Sequence, residues 1–420
     1  MRTRKHVPLP GASQDDAWKR PAVWTGVALP VIIGLTISFS MVACDDDDDG
    51  PTEPSPQVIA EGQSIFRFDT FGDETFWTDT LRMHEVVETV PPTTALAVGL
   101  KVDADTLPPE VLQAIQAGQV DLDDPATTVT LLKLGAVVGL KATVDADNRI
   151  TRFGTTCALC HSTVDDRIAE GIGSRLDGWP NLDLNPGAII ALSPALTQAQ
   201  KDVYNSWGPG RFDPRFNFDH VNGPVVIPPA YGLQDVNSIT FTGDGSEPAY
   251  WNRYVGVTQM HGHGSFTEPR LGINVQNPPD MIASKLPALQ AYQLSLAAPR
   301  PPAGSFDAAA AERGRAVFTG AGQCSTCHTG TLLTDANTRL HAPSEVVSEP
   351  EPNGAPSYAS RGATKMYRTT PLRALQLHPP YFHNGIAPTL EAVVDLYDTK
   401  KNLNLTPQQK ADLVQYLKSL

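Results

Sequence analysis

Residues 156–161 read Thr156-Cys157-Ala158-Leu159-Cys160-His161, and residues 323–328 read Gln323-Cys324-Ser325-Thr326-Cys327-His328. Both are C-x-x-C-H, the spacing at which a haem of c type is attached. The chemistry needs this order of residues. Two thiols add across the two vinyl groups on one edge of the porphyrin, and the histidine that follows turns under the ring to offer its imidazole to iron. A thioredoxin-like dithiol or a four-cysteine zinc site would also use C-x-x-C pairs, but neither explains a histidine directly after both. The expectation is two covalent haems, held by Cys157, Cys160, Cys324 and Cys327, with His161 and His328 as the proximal iron ligands. Of the five cysteines only Cys44 lies outside the two motifs, so none remain for structural disulfides.

Working outward from the second motif, Asp307-Ala308-Ala309-Ala310-Ala311-Glu312-Arg313-Gly314-Arg315-Ala316-Val317-Phe318 predicts a helix. Its apolar stripe runs through Ala311, Gly314 and Phe318. The chain closes on Thr406-Pro407-Gln408-Gln409, a capping box with proline at the first helical position. Leu413, Tyr416, Leu417 and Leu420 then form one apolar face. Residues 306–420 therefore read as one complete haem domain. Around the first motif, 61–68 reads as the matching opening helix and 282–296 as the closing one, with Leu286, Leu289, Tyr292 and Leu296 on one side. Between them lie a helix at 109–117, a strand-like run at 136–144 and a long stretch rich in proline, glycine and aromatics. The predicted class is mainly α: two cytochrome c-type haem domains with long ordered loops, and a large insertion in the first. Residues 61–298 form the first haem domain, 299–305 the linker and 306–420 the second.

Composition sets the outer bounds. The chain has 420 residues, enough for two domains or three, with 41% hydrophobic and 19% charged residues. Neither a wholly disordered chain nor a polytopic membrane protein fits those figures. The 37 prolines point to ordered loops. A net charge of −14 offers nucleic acid no general attraction and suits a partner with a basic patch. At the N-terminus, Arg2, Arg4, Lys5, Lys19 and Arg20 precede an uncharged run from Ala22 to Ala43 that ends Ser40-Met41-Val42-Ala43-Cys44. This resembles a bacterial lipoprotein signal, with 1–43 removed and Cys44 lipidated. The alternative is an uncleaved membrane anchor. Asp45 to Asp49 and the proline-rich residues after them read as a tether over 44–60.

Three further stretches complete a family pattern: Arg368-Thr369-Thr370-Pro371-Leu372-Arg373, Pro380-Tyr381-Phe382-His383-Asn384-Gly385, and Thr389-Leu390-Glu391-Ala392-Val393-Val394. In that order they resemble the C-terminal haem domain of bacterial di-haem cytochrome c peroxidases and MauG-type enzymes. The resemblance implies a catalytic haem and a relay haem, electrons from a small soluble cytochrome or copper protein, and in some relatives a calcium ion. It also implies a second ligand for the later haem. In peroxidases this is a methionine; in MauG-type enzymes a tyrosine stands there, and here that position is Tyr397. Met366 is the other candidate. For the first haem, His220 and the run Met260-His261-Gly262-His263 are the available groups, with Met260 as the candidate iron ligand. Trp251 and Tyr254 are candidate electron carriers. His383 is expected to hold a propionate or its own loop, and 177–181 reads as a turn without assignable chemistry. The catalytic acid–base group is not identified.

The expected function is a periplasmic, lipid-anchored di-haem oxidoreductase that reduces hydrogen peroxide, with no nucleic-acid partner. Two alternatives stand beside it: a di-haem electron-transfer cytochrome, and an oxidase acting on an organic substrate in the manner of MauG or rubber oxygenases.

Overall fold

In the computed structural model, which describes residues 53–420, the Asp307 carboxylate accepts hydrogen bonds from the Ala309 and Ala310 amides and starts the helix Ala308–Thr319. Thr406 and Gln409 form the expected capping box on Pro407–Lys418. These two helices cross at Gly314. A Cβ there would sit 2.6 Å from the Asp412 carbonyl carbon and 2.8 Å from Tyr416 Cβ, so only glycine lets the backbones meet. Phe318 meets Tyr416 edge-on, with ring centroids 5.1 Å apart. Leu390, Val394, Leu413, Val414 and Leu417 complete the core. Each buried side chain of this size contributes roughly 1.5–3 kcal/mol.

The same crossing recurs in the first half. Pro56–Phe68 packs on Leu286–Ser295, and a Cβ on Gly62 would lie 2.7 Å from both the Ala288 carbonyl carbon and Tyr292 Cβ. Phe66 meets Tyr292 at 5.6 Å, again edge-on. In each pair a phenylalanine follows the crossing glycine by four residues. In each pair, too, a tyrosine follows the residue facing that glycine by four (Ala288 and Tyr292; Asp412 and Tyr416). The opening helix begins earlier than expected, because Ser55 caps it and Pro56 takes its first position. Residues 56–60, read as the end of a tether, are therefore helical. Cys44 and the segment 1–43 lie outside the described residues. Within Ser55–Leu420, one compact unit, no helix is long and apolar enough to cross a membrane.

Helices dominate, but the sequence did not show the five two-stranded sheets among the described residues. Leu140–Val144 pairs antiparallel with Ile150–Thr155, which runs straight into the first C-x-x-C-H. The strand expected over 136–144 starts only at Leu140. Ahead of it, Gly139 takes φ +80, and a side chain there would meet Leu159, with its Cβ 2.5 Å away. A second apolar cluster, centred on Met83, Leu132, Ile150 and Phe153, fills this region. The helix expected at 109–117 is Pro109–Gln116. Residues 299–305 carry no helix or strand.

Candidate haem sites

The first motif is positioned from three directions. The strand Ile150–Thr155 delivers it, and fully buried Asp73 anchors the strand's end: its carboxylate accepts from the Thr155 hydroxyl at 2.7 Å and from the Thr155 amide at 3.1 Å. Burial pushes the Asp73 carboxyl up to about 8, against the pull of those bonds. Beyond the motif, Ser162 donates to Asp177 at 2.7 Å, and the same carboxylate accepts from Tyr292 and Arg67, both at 2.5 Å. Asp177 thus ends a short strand and ties the motif to both helices of the first pair. The segment 177–181, read as a turn without assignable chemistry, does turn at Gly178, and its first residue is this structural anchor.

His161 Nδ1 lies 3.2 Å from the Pro228 carbonyl. A carbonyl can only accept, so Nδ1 carries the proton and Nε2 is left with its lone pair for a metal. Burial pushes the imidazole down to about 4, which keeps it neutral. Met260, 6% exposed, and Tyr254 share one apolar core with Cys157 and Trp251. The Trp251 and Tyr254 rings stack at 4.7 Å. His261 stacks on Phe76 at 3.6 Å, and His263 Nδ1 is engaged by the Pro278 carbonyl. His220 does not join them. It sits exposed at the left-handed end of a short helix.

The second motif opens on a cavity of about 410 Å³, within the roughly 300–1,000 Å³ of cofactor sites. Cys324, Cys327 and His328 form one part of its wall; Phe318, Leu390, Val394, Leu413 and Leu417 make it apolar. His328 repeats the arrangement of His161, with Nδ1 2.9 Å from the Leu333 carbonyl. Tyr397 lines the same cavity close to both cysteines, and burial raises its phenol above the ordinary range. Its helix Leu390–Lys401 is capped by Thr389, the first residue of the third family element. Met366 is not part of the cavity wall.

Two observations test whether this cavity suits a haem. Arg368 lines it with its Nε buried and unpartnered and no carboxylate partner among the described residues; burial pushes its guanidinium down to about 10. Tyr231, on the same wall, has a buried hydroxyl without a partner among the described residues. An apolar slot with a thiol pair, a tautomer-locked histidine, an uncompensated cation and a free phenol fits a flat apolar ring that carries carboxylates. The zinc alternative fails, because no group of close-set ligand atoms among the described residues combines the two cysteine pairs. The Pro228 and Leu333 carbonyls and Asp73 were invisible to sequence reasoning. Pro228 is 67 residues from its histidine, and nothing local marks the pairing.

Residues 311–420 match the family model for cytochrome c. The cytochrome-c peroxidase IdrP2 of Denitromonas iodatirespirans is 31% identical over 140 residues, covering 26% of this chain and 38% of the relative. The methylamine utilization protein MauG of Methylorubrum extorquens is 30% identical over 127 residues, covering 26% of this chain and 34% of MauG. A solved MauG-like protein associated with microbial copper homeostasis aligns at 25% identity over 33% of this chain and 56% of that one, with a TM-score of 0.25. The chain spans less than two fifths of the length of the two curated relatives. Residues 311–420 thus match a cytochrome c domain, and over about a quarter of its length the chain is similar to cytochrome-c peroxidases and to MauG.

Proposed function

We propose that this chain is a two-haem c-type oxidoreductase that reduces hydrogen peroxide, with one haem on Cys157, Cys160 and His161 and the other on Cys324, Cys327 and His328. The observation that carries the reading is the repetition. Two C-x-x-C-H motifs each follow an opening helix crossed at a glycine, and each histidine has its Nδ1 held by a carbonyl. That supports two haem domains, the first from 56 rather than 61 to 298 with its long insertion, the second over 306–420.

Bound haem supplies the redox chemistry; the protein orients it, shields it and sets its ligands. His161 and His328 offer neutral imidazoles. Tyr397 is the proposed second ligand of the later haem, and Met260 that of the first at rest, a ligand that must leave before peroxide can bind there. Arg368 would neutralise a propionate. Trp251 and Tyr254 lie in the core around the first motif and suit electron passage. The acidic surface suits a small basic cytochrome or copper protein as donor. Residues 1–43 with Cys44 support export and lipid anchoring in the periplasm. Calcium is not needed for this reading.

Electron paramagnetic resonance with visible absorption tests the activity, on holoprotein first oxidised and then half-reduced. A high-spin haem in either state that shifts with peroxide is the expected result. Two low-spin haems indifferent to peroxide and cyanide would instead make the chain an electron carrier.

A further inference from the structure

Four tyrosines line the second cavity, and their hydroxyls differ in one respect. Tyr231 has no partner, and Tyr397 has none among the hydrogen bonds of the described residues. Tyr381 donates to the Leu375 carbonyl at 2.7 Å. Tyr367 alone faces bases: it donates to the Glu349 carboxylate at 2.6 Å, and His383 Nε2 lies 3.3 Å away. A carbonyl holds a phenol but cannot take its proton, whereas a carboxylate can.

The surroundings of Tyr367 are organised for both states of the phenol. It is 3% exposed, and the Ala359 amide donates to its oxygen at 3.1 Å. The Ser357 hydroxyl donates to the Glu349 carboxylate at 2.5 Å. Glu351 engages His383 Nε2, and Asn384 donates to Glu351 at 2.9 Å. Burial and the Glu349 charge raise the phenol far above its ordinary range, so at rest it keeps its proton. Aromatic contact continues outward: the His383 ring centroid is 4.8 Å from that of Tyr367 and stacks on Tyr358 at 5.7 Å.

We propose that Tyr367 is a redox-active tyrosine of the second haem cavity, with Glu349 as the base that takes its proton. Resting on the peroxide-reducing reading above, the step balances as follows. A haem bound in the cavity would supply an oxidising equivalent drawn from hydrogen peroxide, and Tyr367 would give it one electron. Its O–H bond breaks, and a new O–H bond forms on the Glu349 carboxylate. The products are a neutral tyrosyl radical and a Glu349 carboxylic acid, with the Ala359 amide still donating to the radical oxygen. An electron from the donor protein and the proton on Glu349 restore the phenol.

The experiment mixes holoprotein with one equivalent of hydrogen peroxide, freezes it rapidly, and records visible absorption and electron paramagnetic resonance. The expected result is a haem response followed by a narrow organic radical signal. That signal should be absent in Tyr367→Phe, retained in Tyr381→Phe, and formed roughly 100-fold more slowly in Glu349→Gln, the low end of what a positioned base contributes. If Tyr367→Phe does not fold, ring-deuterated tyrosine in the wild type must collapse the hyperfine structure, and Glu349→Gln must still slow the signal. A haem response with no radical, or with a radical unchanged by these substitutions, overturns this proposal and leaves the peroxide-reducing reading intact. No haem response at all overturns both, since Tyr367 then has no oxidant.

Discussion

Replacing Gly314 by alanine separates two physical effects by sign. Helix propensity alone says the change should stabilise the Ala308–Thr319 helix by about 1 kcal/mol, since glycine is the poorer interior residue. The crossing says the opposite. The added Cβ would stand 2.6 Å from the Asp412 carbonyl carbon and 2.8 Å from Tyr416 Cβ. Carbon atoms ordinarily approach to about 3.5–4.0 Å, so the intrusion is about 1 Å. Its nearest neighbours are backbone and a Cβ, which no side-chain rotation can move. The two helices must part, and with them the Phe318–Tyr416 contact. Overpacking costs roughly 1–3 kcal/mol, and contacts this close to atoms that cannot rotate away put the site at the upper end, about 3 kcal/mol, which leaves a net loss of about 2 kcal/mol after the propensity gain. Guanidinium unfolding of the holoprotein, followed by circular dichroism, gives the midpoint. Ala316→Gly, on the exposed face of the same helix, is the companion: it should lose only the propensity term of about 1 kcal/mol. A Gly314→Ala protein as stable as wild type, or more so, would refute the argument. The matching crossing predicts the same sign for Gly62→Ala.

Three other outcomes follow from the geometry. Tyr397→Phe should change the low-spin spectrum of the second haem while Met366→Leu leaves it alone, because only Tyr397 lines that cavity; an unaltered spectrum in Tyr397→Phe would remove the tyrosine as ligand. Asp73 keeps its proton in the folded state up to about pH 8, whereas an unfolded aspartate loses it near pH 4. Folding stability should therefore fall as pH rises through that window, by up to about 1.4 kcal/mol per unit from this group, and Asp73→Asn should flatten the slope measured by unfolding at a series of pH values. Expressed with radiolabelled palmitate, the full-length chain should incorporate label that Cys44→Ser loses; equal labelling of the variant would overturn lipid anchoring at Cys44.

What could be read from the sequence was covalent or local. Attachment of haem depends on five consecutive residues, so Cys157–His161 and Cys324–His328 stand out without any knowledge of the fold. The caps of the 308–319 and 407–418 helices and their apolar stripes are likewise set within a few residues, where side chain and backbone amide are neighbours in the chain. The glycine four residues before a phenylalanine in both opening helices became meaningful only once the partner helices showed what each glycine faces. Residues distant in sequence were decided only by tertiary structure. The Pro228 carbonyl that sets the His161 tautomer, the Asp177 bonds to Arg67 and Tyr292, and the meeting of Tyr367 with Glu349 and His383 each join separate segments. A buried carboxylate or carbonyl carries no mark in sequence of the donor that will satisfy it. That pairing is chosen when packing removes water and leaves each polar group only the partners the fold has brought beside it.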